Sequence, residues 1–251
     1  MKKLILLKSF LFILVVSLIP AVSTVFIPDF NGSSLQAAQD DMKKKKKKRK
    51  RAKLPSKKAQ KIFQQIQPLL EEESWDEASM VLAAIKEGEK FTGTDKATMW
   101  YYFGYIYFSQ EKYDNAMNAY KILIDEPEAD YRQKNNAIYS LSQLSYIKGD
   151  YRATINYLYL WLENEDEASS DAYALLATTY YQLKEFTNAK ENIEITISMQ
   201  ESRDIPILDE NGEETGETKK GVAKENHYLL KMAVFMELKQ KLDVLPIYEI
   251  L

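Results

Sequence analysis

Trp100-Tyr101-Tyr102-Phe103-Gly104-Tyr105-Ile106-Tyr107, followed by Tyr113, Ala116, Tyr120 and Pro127, is the stretch on which the fold turns. Its apolar residues recur three and four apart, which marks an amphipathic helix; a strand would alternate. A break falls at Glu111-Lys112, so the stretch reads as two helices with Tyr113 as the first anchor of the second. Gly104 and Ala116 carry no bulk to hold two backbones apart, and their placement predicts a close approach. Trp100, Phe103, Tyr107 and Tyr120 fill the space within this hairpin and against the next.

The order of these residues resembles the tetratricopeptide (TPR) signature W-x2-L-G-x2-Y…A-x3-F…P, with Phe103 replacing Leu and Tyr120 replacing Phe. The pattern extends along the chain when the aromatic residue that opens each second helix is aligned. Trp75 with Ala78, Tyr113 with Ala116, Tyr151 with Thr154, and Phe186 with Ala189 are equivalent, and Leu242 with Leu245 gives a weaker fifth. Successive separations are 38, 38, 35 and 56 residues, against a usual period of about 34. Lys148-Gly149-Asp150-Tyr151 reads as another turn between helices. The resemblance implies an all-α fold, a TPR-like α-solenoid of about four to five helical hairpins over residues 59–251. The fifth hairpin has an unfinished second half at Leu242–Leu251, which predicts a longer solenoid or a covered end.

The long last separation holds an insertion at 202–221. Asn211-Gly212 is a strong hairpin-turn signal, and Ile205–Leu208 reads as one strand. A β-hairpin-like decoration of a binding face and a plain acidic loop both remain open.

Composition narrows the chemistry. The chain has 251 residues, 45% of them hydrophobic and 28% charged, with no Cys and one His. Absence of cysteine excludes a disulfide scaffold, a thiolate metal site and a catalytic thiol. A lone His227, expected as a surface or packing residue at a helix start, excludes a His-rich metal centre. No phosphate loop, zincin or nucleophile-elbow motif is present. The acidic runs Glu71-Glu72-Glu73 and Glu163-Asn164-Glu165-Asp166-Glu167 lack calcium-loop spacing and read as solvated surface. No catalytic residue, metal or cofactor is expected, and the chain reads as a non-enzyme.

Charge is unevenly distributed. Residues 1–58 carry 15 Lys/Arg against three acids, a net of +12, and the rest carries 19 against 34, a net of −15. Lys2 and Lys3 precede the apolar run Leu4–Ile19, which Pro20 ends. This is the layout of a secretory signal peptide, with an uncleaved anchor as the alternative over 1–38. Residues 39–58 then form a polybasic linker. Its core is Lys43, Lys44, Lys45, Lys46, Lys47, Lys48, Arg49, Lys50 and Arg51, a self-repelling block expected to be disordered. It reads as a solvated linker or as a contact to an anionic membrane surface. No aromatic residue interrupts the block, so stacking on single-stranded nucleic acid is disfavoured.

In TPR proteins the first helix of each hairpin lines a groove. With Ala97, Asn135 and Ser170 as first positions, the resemblance turns Thr98, Tyr101, Tyr105 and Phe108 inward, then Asn136, Tyr139, Gln143 and Tyr146, then Asp171, Ala174, Thr178 and Tyr181. Tyr101, Tyr105, Phe108, Tyr139, Gln143, Tyr146, Thr178 and Tyr181 are the candidate partner-binding residues, offering rigid rings and hydroxyls. Packing between repeats is the competing role for several of them. The Lys, Arg and Asn set of carboxylate-clamp TPR domains is absent, which disfavours a chaperone-tail receptor.

The terminal Asp243-Val-Leu-Pro-Ile-Tyr-Glu-Ile-Leu251, with the export layout and the repeats, is similar to periplasmic TPR proteins found alongside TonB energy-transduction systems. That resemblance implies a periplasmic scaffold contacting TonB, ExbB or ExbD during uptake of iron complexes. The alternative is an envelope-assembly or cell-wall adaptor tethered to the membrane by the basic arm.

Overall fold

The computed structural model describes residues 54–238 apart from 89, 166–167 and 209–213. The expectations for 1–38, for Lys43–Arg51, for the Asn211-Gly212 turn and for Leu242–Leu251 lie outside the described residues. Nine helices and one two-stranded sheet occur among the described residues, in the order α1 (Lys57–Glu71), α2 (Trp75–Glu87), α3 (Gly93–Ser109), α4 (Tyr113–Asp125), α5 (Tyr131–Ile147), α6 (Tyr151–Leu162), α7 (Ser170–Gln182), α8 (Phe186–Glu201), β1 (Asp204–Leu208), β2 (Glu214–Lys220) and α9 (Glu225–Glu237). The chain divides into two compact units, 1–137 and 138–251, and the division falls inside α5. This is the all-α architecture of helical hairpins that the sequence predicts, with the β insertion in place.

One turn design is used four times. After α1, α3, α5 and α7 a single residue adopts left-handed backbone: Glu73 (φ 57°), Glu111 (φ 59°), Gly149 (φ 78°) and Lys184 (φ 59°). The next N–H then donates back to the helix, from Ser74 to Leu69 O (2.8 Å), Lys112 to Tyr107 O (2.8 Å), Asp150 to Ser145 O (2.9 Å) and Glu185 to Tyr180 O (2.9 Å). This is the Schellman closure, which satisfies carbonyls a helix end would otherwise leave unpaired. The second helix begins one residue later, on Trp75, Tyr113, Tyr151 or Phe186. Those are the four aromatic residues on which the repeats align in sequence.

Each unit has its own core. In the first, α1 buries Ala59, Phe63, Ile66 and Leu70, a stripe at spacings of four, three and four that gives one apolar face. That stripe clusters with Leu82 and Ile85 of α2 and with Met99, Phe103 and Ile106 of α3. Asp95 completes a capping box with Thr92 and also accepts the Ser56 N–H at 2.7 Å, tying the start of α1 to the start of α3. Gly104 lets α3 and α4 approach closely, since a Cβ there would lie 2.5 Å from the Tyr120 ring. In the second unit Ile155, Leu158, Leu176, Ile193, Ile197, Val234 and Phe235 cluster across α6 to α9.

The insertion is an antiparallel ribbon. Asp204 pairs with Lys220, Ile205 with Lys219 and Pro206 with Thr218, and an irregularity before Leu208 shifts its partner to Glu214. The first strand matches the one read from Ile205–Leu208. The second carries no apolar alternation and so has no strand signal of its own.

Candidate partner-binding faces

The candidate residues sit on α3, α5 and α7, the first helices of their hairpins, and all eight are half-buried. Two kinds of contact hold them.

Ring contacts come first. Phe108 packs on Tyr113 (centroids 6.0 Å apart), Tyr146 on Tyr151 (5.5 Å) and Tyr181 on Phe186 (5.6 Å). Each pair spans one Schellman turn and joins the next-to-last residue of one helix to the first residue of the next. These aromatics therefore clasp the turn as well as facing outward. The signal was available in sequence as an aromatic five residues before each turn aromatic, but the turn had to be known before that spacing had meaning. Tyr105 lies edge-on to Trp75 of α2 at 5.9 Å, and Tyr139 packs on Trp161 of α6 at 5.0 Å.

Hydrogen bonds between successive first helices come second. In the first unit Gln67 of α1 donates to the Tyr102 hydroxyl (3.1 Å), and Gln133 of α5 donates to Thr98 of α3 (2.9 Å). The Tyr101 hydroxyl is hydrogen-bonded to Asn136, one turn further along α5. Burial pushes the Tyr101 hydroxyl up to about 12, with the neighbouring Tyr102 adding to the shift and the Asn136 bond opposing it. In the second unit the Tyr146 hydroxyl bonds Gln182 of α7. Burial also raises the Tyr146 hydroxyl above its ordinary value, the Gln182 bond opposing and Tyr151 adding. Tyr139 is raised further by burial and by the charge of Asp171. Each of these phenols stays neutral at physiological pH and can donate or accept. Tyrosine or threonine against Gln or Asn is thus a recurring rung.

Three of the amides, Gln67, Gln133 and Gln182, were not singled out from sequence. Gln133 matters most, because its Oε1 is buried with no hydrogen-bond partner while its Nε2 serves Thr98. A buried acceptor left unpaired costs about 1–3 kcal/mol. Thr98 itself is buried and donates to Thr94 O, and Thr178 donates to Ala174 O at 2.8 Å. Neither hydroxyl proton is available to a partner in this arrangement. Among the described residues no group of His, Asp or Glu could hold a metal ion. His227 is buried against α8, its Nδ1 3.0 Å from Gln200 Oε1.

No protein-family model and no curated protein matches the chain. Solved structures do. MamA 41-end from Desulfovibrio magneticus RS-1 is 13% identical with a TM-score of 0.57, covering 77% of this chain and 93% of that one. A tetratricopeptide repeat protein from Parabacteroides merdae ATCC 43184 is 12% identical with a TM-score of 0.52, covering 86% and 72%. BtubC from P. vanneervenii is 14% identical with a TM-score of 0.55, covering 72% and 73%. The fold is that of a TPR-repeat protein. Identities this low carry the TPR fold across and nothing about ligands. The candidate residues lie on the first helices of these hairpins.

Proposed function

We propose that this TPR chain is a non-enzymatic protein–protein interaction scaffold, exported to the periplasm, that serves a TonB-dependent uptake system. The observation that carries the scaffold reading is the set of Tyr/Thr-to-amide rungs. They hold half-buried rings in fixed positions while leaving part of each ring accessible. A pre-ordered Tyr loses little rotamer freedom on binding, which suits it to be an interface hot spot. Export rests on the Lys2-Lys3 and Leu4–Ile19 layout, and the TonB connection on the resemblance of the terminal Asp243–Leu251 segment. The block Lys43–Arg51 supports a second reading, an envelope-assembly or cell-wall adaptor held at anionic lipid by about 1 kcal/mol per basic residue.

In-cell crosslinking followed by affinity purification tests both readings. Recovery of TonB, ExbB or ExbD supports the first, and recovery of outer-membrane or cell-wall assembly proteins supports the second. For the partner recovered, alanine at Tyr101, Tyr105, Tyr139, Tyr146 and Tyr181 in turn should weaken binding by about 2 kcal/mol or more at the hot spots. Unchanged affinity in all five variants rejects these faces as the binding site.

A further inference from the structure

We propose that β2 is a homodimerisation edge, in which two copies pair their β2 strands antiparallel about Thr218, with Glu217 of each copy opposite Lys219 of the other. The ribbon's hydrogen-bond phase supplies the first premise. Gly221 N–H donates to Arg203 O at 2.7 Å, which makes 203 and 221 a hydrogen-bonded pair. Such pairs alternate with unbonded ones in an antiparallel ladder. Ile205 with Lys219 is then bonded, while Asp204 with Lys220 and Pro206 with Thr218 are not. Pro206 fits an unbonded pair, because it has no N–H to give. Thr218 and Lys220 consequently aim their backbone N–H and C=O groups away from β1.

The two edges of the ribbon differ. The outer edge of β1 is interrupted at Pro206, where a donor is missing. The outer edge of β2 contains no proline; Gly216 breaks its extended backbone (φ 83°), and the regular edge beyond it, Glu217–Lys220, has every side chain exposed. An unpaired edge of this kind is a template for another strand.

Charge selects the occupant and the register. A two-fold pairing centred on Glu217 would oppose Glu217 to Glu217, and one centred on Lys219 would oppose Lys219 to Lys219. Centring on Thr218 places two Glu217–Lys219 pairs on one face and a Thr–Thr pair on the other, each a favourable cross-strand combination. Neither Glu217 nor Lys219 has an ion-pair partner among the described residues, whereas Lys220 is already bonded to Asp204 at 2.8 Å. A lysine on an edge usually repels other strands; here the glutamate two residues earlier cancels that repulsion for a second copy in one register. The resulting contact is isologous, as closed dimers require. It also joins two ribbons that are each marginal in water into one four-stranded sheet.

The chain has no cysteine, so one introduced thiol reports the contact alone. In a hydrogen-bonded antiparallel pair the two 218 Cα atoms stand about 5.5 Å apart, within disulfide reach. Val222 is 75% exposed, but in this register the two copies of residue 222 lie about 27 Å apart. Mild oxidation of the full chain should link Thr218→Cys into a covalent dimer and leave Val222→Cys without a covalent link. In the cysteine-free chain, Lys219→Glu should weaken self-association, read by sedimentation, roughly tenfold. Adding Glu217→Lys to Lys219→Glu should restore it, because both pairs re-form with swapped signs. Equal crosslinking at both cysteines, a monomer at all concentrations, or a dimer indifferent to Lys219→Glu each overturns the proposal.

Discussion

The hairpins α3–α4 and α7–α8 answer one packing requirement with opposite divisions of volume. Nine residues before the turn aromatic stands Gly104 in one and Ala177 in the other; seven residues after it stand Tyr120 and Ile193. All four are buried. In α3–α4 the first helix gives up its side chain entirely and the Tyr120 ring occupies the space, so close that a single methyl would collide with it. In α7–α8 a methyl is present and the opposing residue is smaller. These two hairpins reach nearly the same summed volume with different residues, as an interior packed at crystal density allows. The first hairpin does not share that sum, since its equivalent positions are Ile66 and Leu82, both fully buried. A signature written in residue identities is therefore plain at Trp100–Pro127 and faint at Ser170–Glu201.

Swapping the division between the two hairpins should give the largest effect. Gly104→Ala forces a Cβ into the Tyr120 ring and is expected to cost about 1–3 kcal/mol in urea unfolding. Gly104→Ala with Tyr120→Ile recreates the Ala177/Ile193 solution and should recover at least about 0.5 kcal/mol beyond additivity. A neutral Gly104→Ala would falsify the close-contact reading of this hairpin.

The turns sharpen the comparison at a smaller scale, since three of them place a side chain in left-handed backbone and α5–α6 uses glycine. A Cβ on Gly149 would meet nothing within 4 Å, so Gly149→Ala should cost only the backbone term, about 1 kcal/mol. Lys184→Gly removes that same term and should raise the thermal midpoint. If both substitutions shift the midpoint in the same direction, the four turns are not equivalent in energy.

The smallest effect expected is a pH response that separates the units. In the second unit burial, reinforced by Lys224 and opposed by Asp171, holds His227 below its ordinary value of 6.5. Its contribution to stability is therefore complete above pH 6.5 and is lost as pH falls below that value toward the folded pKa. In the first unit burial alone would raise Asp95, but hydrogen bonds from Thr92 and Ser56 outweigh it and hold the carboxyl below 3.8. That contribution persists until the pH falls below about 3.9. Between pH 7.5 and 5.5 hydrogen exchange should show weakened protection in α8 and α9 but not in α1 and α3. His227→Gln should remove the difference; a response that survives this change assigns it to another group.

The hairpin turns were legible because their signals are local: Glu111-Lys112 and Lys148–Tyr151 are read from a few neighbouring residues and found where they were placed. The ribbon was half legible. Ile205–Leu208 has strand character, but Glu214–Lys220 has neither alternation nor β-branched enrichment, and its pairing depends on β1. The faces were legible as a list of residues and not as an arrangement. Tyr101, Tyr139 and Tyr146 stood out as aromatic positions on helices, yet the partners Asn136, Trp161 and Gln182 lie 35, 22 and 36 residues away in sequence.

By itself, then, the sequence determined the helical period, the turns, the aromatic that opens each second helix and the site of the insertion, since all of these are set by residues within one helical turn or one loop. Only the tertiary structure decided which phenol is buried, which amide receives it, that Gln133 keeps one buried oxygen unpaired and that Thr218 presents its backbone outward. Those outcomes depend on groups brought together across neighbouring helices or strands, where burial and hydrogen-bond phase are properties of the assembled neighbourhood and of no single residue.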